Sequence, residues 1–270
     1  MQKVKNVNQT AYAYIKKYWF IFLIFVIFFC FGLFRKSFDI IQLSLILLIL
    51  VIIFIFILAQ GKFMKQVASA LGFQYLGHGA METVSGQLFK IGYSQRIFNV
   101  MSGFYNDLPL RIYNYETSIG FGKNRQNYNY TVFEITYPYK LPHVLLISRG
   151  GFLSDSYPGN PRIPGGVQIN LEGDFYKYFS LYAENDFELE VFRIFTPDNM
   201  VQLIDKGRGF NFEFCDNKLY IFQHIIISTK EKMASVYKTV TELSDMLTPH
   251  LKEISDDVDT MNRVIRDSKT

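Results

Sequence analysis

Two apolar runs near the N-terminus constrain this chain more than any other feature. "YWFIFLIFVIFFCFGLF" (Tyr18–Phe34) has 17 residues and "IIQLSLILLILVIIFIFILA" (Ile40–Ala59) has 20, and neither contains a charge. Crossing the hydrocarbon core of a bilayer takes about 20 residues of helix. Inside it every backbone polar group must be paired within the structure, which a helix does on its own. The linker "RKSFD" leaves room only for a tight reversal, so the two runs are expected to form an antiparallel transmembrane hairpin. A buried hairpin of a soluble protein would show a polar face on some helical period, and these runs show none. A cleaved signal peptide is also disfavoured, because Arg35 and Lys36 follow the first run in place of a small-residue cleavage site. Lys3, Lys5, Lys16 and Lys17 precede the hairpin and Lys62 and Lys65 follow it, against Arg35 and Lys36 between the runs. By the positive-inside rule both termini and the body of the chain are expected on the cytoplasmic side of a multi-pass membrane protein.

The net charge of +4 must be read against that hairpin. Six of the 28 basic residues but only one of the 24 acidic ones lie before Gln60, which leaves 22 basic and 23 acidic residues for the rest. A body so nearly neutral gives no electrostatic ground for nucleic-acid binding, and none is expected. Cys30 lies in the first apolar run and Cys215 in an expected strand, so no disulfide framework is implied. His78, His143, His224 and His250 are scattered and no CxxC occurs, so the spacing calls for no metal and no cofactor.

The chain divides into a basic tail (1–17), the hairpin (18–59), a soluble α+β domain (60–229) and a C-terminal helical segment (230–270). "KFMKQVASALG" reads as a helix stopped by Gly72, and "METVSGQLFKIG" (Met81–Gly92) as a second short helix. Alternation then predicts strands over Arg96–Tyr105, Leu110–Ser118, Tyr128–Tyr139 and His143–Ser148, with a hairpin turn at Asn106-Asp107 and its exit at Pro109. A further hairpin is expected in "FNFEFCDNKLYIFQHI", turning at Asp216-Asn217. After Met233 the apolar residues step by three and four. Thr248-Pro249 is expected to end one helix and cap another, whose stripe from Leu251 to Ile265 would lie on its own domain or pair with a second copy as a homo-oligomer. The fold class is therefore a transmembrane helical hairpin followed by an antiparallel β-sandwich or barrel-like domain with inserted helices and a C-terminal helix.

"EGDFYKYFSLYAENDFELE" places six carboxylates among aromatic rings. Alternation makes "DFYKYFSLY" a strand, with Phe175, Phe179 and Leu181 toward the core and Tyr176, Tyr178, Ser180 and Tyr182 on a tyrosine-lined face. The period then changes to four, which puts the acids at a helix start where the dipole favours them. Thr196, Pro197 and Gly207 bracket the next helix. The loop "RGGFLSDSYPGNPRIPGG" (Arg149–Gly166) has five glycines, three prolines and no periodicity. A loop of that length is functional or disordered, and its apolar residues argue against disorder. Arg149 and Arg162 bracket Phe152 and Tyr157, and a guanidinium suits a phosphate or carboxylate. The candidate binding residues are Arg149, Phe152, Tyr157, Arg162, Tyr176 and Tyr178.

From Leu171 to Gly207 ("LEGDFYKYFSLYAENDFELEVFRIFTPDNMVQLIDKG"), followed by "FNFEFCDNKLYIF" and with Ser102-Gly103-Phe104-Tyr105 upstream, the chain resembles a family of uncharacterised bacterial membrane-anchored proteins with two N-terminal spans. The resemblance covers most of Lys62–Phe222 and implies the bacterial cytoplasmic (inner) membrane, but transfers no activity. Strands followed by a C-terminal helix are also similar to the pleckstrin-homology-like domains of bacterial membrane proteins. No nucleophile elbow or phosphate-loop pattern occurs. Two functions remain. The favoured one is a non-enzymatic module, anchored in the lipid bilayer, that holds a protein, peptide or lipid headgroup. The other is a membrane-bound hydrolase or transferase whose site joins Glu172, Asp174 and Asp198 to a distant histidine.

Overall fold

The computed structural model describes residues 4–149, 157–159 and 161–267, with side chains throughout except those of Asp186 and 256–267. They form two compact units: Met1–Gly72 with Ser228–Met233, and Phe73–Ile227 with Ala234–Thr270.

The first unit holds α1 (Val7–Lys17), α2 (Trp19–Phe34) and α3 (Phe38–Leu71). The expected helix over Lys62–Gly72 is the last part of α3, so the second apolar run and the segment after it are one rod. Gly72 ends that rod in the left-handed region (φ 72°), with its amide bonded back to the carbonyls of Ala68 and Ser69. The apolar side chains of α2 and α3 are largely exposed, among them Ile27, Phe28, Leu50, Phe54 and Ile57. Such a surface is tolerable where the surrounding solvent is lipid. By length and composition α3 alone is sufficient to cross a membrane. α1 and α2 make a second span if the pair, bent by 67° around Tyr18, is counted as one. α2 passes close to the start of α3 at Gly32, where an added Cβ would come within 2.9 Å of the Ile41 side chain. Small residues at such a crossing let helix backbones meet.

The second unit is built on one sheet. Its strands are β1 (Gln74–Gly79), β2 (Tyr93–Tyr105), β3 (Leu108–Ile119), β4 (Gln126–Thr136), β5 (Val144–Ser148), β6 (Gly166–Ile169), β7 (Phe179–Glu184), β8 (Asn211–Cys215) and β9 (Lys218–Gln223). The order is β1-β2-β3-β4-β9-β8-β5-β7-β6, antiparallel throughout. The expected sandwich or barrel is thus corrected: the architecture is α+β, but the sheet is single and open, with β1 and β6 at its edges. The helices are α4 (Phe175–Tyr178), α5 (Glu188–Ile194), α6 (Pro197–Lys206) and α7 (Lys230–Asp267).

Alternation in the strands sorts the core into two layers. Ile112, Phe133, Ile135, Phe212, Phe214, Leu219 and Ile221 are buried on one face. From Ala234 onward α7 belongs to this face, with Val236, Val240, Leu243 and Leu247 buried. The Tyr137 hydroxyl lies 3.0 Å from Thr248 Oγ1, and Tyr105 donates to Asp245 at 2.7 Å. The opposite face carries Tyr113, Tyr115, Tyr130, Val132, Tyr220 and Phe222, joined in the core by Leu88, Phe89, Tyr157 and Ile163 from outside the sheet.

Several local expectations hold. Asn106 and Asp107 both take positive φ (47° and 63°) as a two-residue hairpin requires, and Asp216 does so at the second hairpin (58°). The Thr196 side chain accepts from the Asn199 amide with Pro197 in the first turn of α6. Others are corrected. Pro109 does not leave the strand but sits in β3 opposite Phe104, close enough to the turn for a missing donor to be tolerated. Met81–Gly92 is not a helix. It holds two short 3-10 turns, Met81–Thr83 and Leu88–Lys90, and its backbone is used for contacts across the sheet. Phe175–Tyr178 is one turn of helix, so the strand begins only at Phe179. Phe175 is nevertheless buried, stacked on Phe179 with ring centroids 5.0 Å apart. Thr248-Pro249 does not divide the C-terminal helix: α7 runs through Pro249, Thr248 Oγ1 donates to the Ser244 carbonyl, and Leu247 and Leu251 are both buried. Packing on either side outweighs the one missing backbone bond. The second half of the expected self-pairing stripe (Val258, Met261, Ile265) lies outside the described side chains.

Candidate functional site

On the face opposite α7, two carboxylates lie where the alternation of their strands would place apolar residues. Glu134 on β4 is 1% exposed and Glu213 on β8 is fully buried, and Tyr220 on the intervening β9 is the cross-strand partner of both. A buried carboxylate must be paired or hydrogen-bonded. Glu134 faces Arg111 Nη1 at 3.2 Å and Lys218 Nζ at 3.0 Å, and accepts from the Tyr113 hydroxyl at 3.0 Å. Its charge, added to complete burial, holds the Tyr113 phenol well above its ordinary range.

The same groups hold Met81–Gly92 across the sheet. Lys218 Nζ donates to the Thr83 carbonyl at 2.6 Å, Arg111 Nη2 to Thr83 Oγ1 at 3.2 Å, and the Ser85 amide donates to the Tyr220 hydroxyl at 3.1 Å. The amides of Gln87 and Leu88 donate to the two oxygens of Glu213. A Cβ on Gly86 would stand 2.6 Å from Glu213 Oε2, so the chain passes the carboxylate at a distance only glycine permits. The segment is therefore a strap fastened by two buried acids.

Glu213 has a further neighbour. His143, just before β5, has Nε2 at 3.2 Å from Glu213 Oε1 and Nδ1 at 3.4 Å from Glu184 Oε1. Cys215, two residues along β8 on the same face, brings its sulfur into the group: one donor atom each from His143, Glu213 and Cys215 lie within 4.8 Å of one another. Burial, with the charges of Glu213 and Asp216, pushes the Cys215 thiol up to about 12, and Lys90 acts in the opposite sense.

Beside this cluster the strap and the Gly/Pro loop enclose a cleft of about 740 Å³, lined by Gln87, Lys90 and Ile91 on one side and Pro158, Arg162 and Ile163 on the other. Among the described residues no acid lines it, and Lys90 and Arg162 are both at least partly open to solvent.

Of the six residues singled out from the sequence, Arg162 lies in this cleft. Tyr157 is buried in the core, its ring 6.3 Å from that of Phe222. Arg149 is engaged by its own domain, donating to Ser180 Oγ and to the Tyr176 carbonyl. Tyr176 and Tyr178 belong to α4 and not to a tyrosine-lined strand face: Tyr176 is exposed, and Tyr178 lies under the Arg208 guanidinium, 3.9 Å from its ring centre. Phe152 lies outside the described residues. For the alternative hydrolytic set, Asp174 is exposed and paired with Lys177 at 2.8 Å, and Glu172 is exposed. Asp198 and His250 do line one open groove of about 710 Å³, but Glu242 there is taken by Lys206 and Asp245 by Tyr105 and Asn106. Among the described residues no hydrogen bond or ion pair joins any two members of the set.

Sequence reasoning missed Glu213, Glu134, His143 and Cys215. The available signal was an acid inside an otherwise apolar strand, in "FNFEFC" and "TVFEIT". Such an acid is costly unless the fold supplies partners, so it marks a place where other elements converge.

No family model and no curated protein matches the chain. Among solved structures it aligns with the crystal structure of the mycobacterial trehalose monomycolate transport factor A, TtfA. That pair is 15% identical with a TM-score of 0.49, over 70% of this chain and 96% of that one. A likeness of that degree carries no argument about what this chain does.

Proposed function

We propose that the protein is a membrane-anchored, non-enzymatic module that holds the phosphate-bearing headgroup of an anionic lipid. The observation that carries this is the cleft presenting Lys90 and Arg162 with no acid among its described lining, in a chain whose α2 and α3 expose the apolar surface of a membrane anchor. A planar guanidinium and an ammonium on opposite walls suit a phosphate, which accepts bidentate and point-charge contacts together. The full chain in neutral detergent, titrated with short-chain phosphatidylglycerol, is expected to bind it at least about tenfold more tightly than phosphatidylcholine, an energy of about 1.4 kcal/mol. Lys90→Glu with Arg162→Glu removes that preference while the protein stays folded. Equal binding by wild type and the double variant overturns the reading, and binding of inorganic phosphate alone identifies a free anion as the ligand.

The sidedness follows from the lysines flanking the hairpin, and we place both termini and the sheet domain at the cytoplasmic face of a bacterial inner membrane. In a bacterial host, alkaline phosphatase fused after Thr270 is expected to be inactive. An active fusion puts the body on the other side.

A further inference from the structure

We propose that His143, Glu213 and Cys215 form a binding site for a single zinc ion beneath the strap, a role that goes beyond headgroup binding and does not depend on it.

The donor set is the first argument. A nitrogen, a sulfur and a carboxylate oxygen suit zinc, whereas magnesium and calcium take oxygen donors. The geometry is the second. For metal bonds of roughly 2.0–2.3 Å, a tetrahedral site has donor–donor edges of roughly 3.3–3.6 Å. His143 Nε2 and Glu213 Oε1 are 3.2 Å apart, and all three donors fall within 4.8 Å of one another. The two edges to the Cys215 sulfur are therefore no longer than 4.8 Å.

Orientation is the third. In zinc sites the second nitrogen of a ligating histidine is turned toward a carboxylate or carbonyl, which fixes the ring. His143 Nδ1 faces Glu184 Oε1 at 3.4 Å, leaving Nε2 for the ion. Glu213 is likewise fixed, since the amides of Gln87 and Leu88 hold its two oxygens and the backbone at Gly86 closes over them.

An independent observation points to a ligand. The Tyr157 hydroxyl is buried and has no hydrogen-bond partner among the described residues, in a side chain 6% exposed. Its ring belongs to the same buried cluster as Cys215. A water on the open fourth position of a three-ligand zinc ion would give this hydroxyl a partner. Charge agrees as well: Glu213 and Glu184 lie against His143, Asp216 and Lys90 act on Cys215 with opposite signs, and a divalent cation offsets Glu213 together with a Cys215 thiolate. Binding releases the thiol proton to solvent.

The test uses the untagged full chain in detergent, stripped with a chelator and titrated with Zn²⁺, with bound metal counted by elemental analysis. One equivalent per chain is expected. Co²⁺ in its place should give the intense near-ultraviolet band of cobalt–thiolate charge transfer. Cys215→Ser abolishes that band. Glu184→Gln, at the residue that faces Nδ1, keeps the band but weakens binding about 10–100-fold. A folded wild-type chain that retains no zinc overturns the site, as does a cobalt complex without the thiolate band. Equal zinc affinity in a folded Cys215→Ser variant overturns it too. If Cys215→Ser does not fold, the wild-type cobalt spectrum decides.

Discussion

Replacing Phe179 by alanine is expected to cost about 3–5 kcal/mol, the range for deleting a fully buried phenylalanine. The ring is 2% exposed at the start of β7. It is the first of a connected series: Phe179 stacks on Phe175, Phe175 lies 6.2 Å from Phe195, and Phe195 meets Phe214 of β8 edge-on at 6.4 Å. Removing the first ring leaves its neighbour Phe175 unsupported on one side, and the helical turn of α4 cannot collapse to fill the space without dragging Phe175 from the core. For a domain of this size the loss corresponds to a Tm lower by roughly 6–20 °C. Thermal unfolding of the full chain, followed by the circular dichroism of the sheet, reads it directly. A variant that melts with wild type would mean that the interior tolerates a hole here and that the stacked series contributes nothing.

Glu134→Ala is expected to be as severe, for the opposite kind of reason. Breaking a buried ionic group by removing one partner costs about 3–5 kcal/mol, and the lower end applies here because Arg111 and Lys218 are partly open to solvent and only Tyr113 stays fully buried. Here the abandoned partners are Arg111, Lys218 and the Tyr113 hydroxyl, and the first two also hold Thr83 of the strap. The effect should therefore show in two measurements. Denaturant unfolding should report the reduced stability, and limited proteolysis between residues 80 and 92 should become faster than in wild type. Glu134→Gln keeps an acceptor and should fall between the two. An alanine variant within about 1 kcal/mol of wild type, cut in the strap no faster, would remove the two-acid account of how this segment is held.

These expectations depend unequally on what the sequence displays. Both tight hairpins were legible because their turns use Asn106-Asp107 and Asp216-Asn217, residues suited to positive φ. α6 was legible from Thr196 and Pro197. β1 was not, since "QYLGHG" carries two glycines and no apolar alternation, and it is a strand only because β2 supplies its partners. β6 was hidden in the same way at the end of the Gly/Pro loop. The turn at Phe175–Tyr178 is ambiguous because its aromatic residues fit a period of two as well as one helical turn, and only the packing of Phe175 on Phe179 separates the alternatives. Of the candidate site, Arg162 was visible as a cation in an irregular loop. The His143, Glu213 and Cys215 group was not, because a strand order that puts β5 beside β8 brings together residues seventy positions apart.

That strand order also sets a schedule. β1 to β4 form a meander of near neighbours, and each can pair with the strand before it as soon as it is made. The inner edge of β4 is different: its partners are Lys218 to Gln223, against Thr136 to Thr131. On the ribosome some eighty further residues must emerge before that seam can close, and closing so long a loop is the slow kind of event in folding. Through that interval β4 is an unpaired strand edge rich in Val132, Phe133 and Ile135, on a chain whose first apolar helices have already been made. Exposed edges of that composition recruit other chains. Nascent copies made close together would meet through β4 before β9 arrives, so misassembly in this protein should begin at the seam and depend on how fast the stretch between β4 and β9 is synthesised.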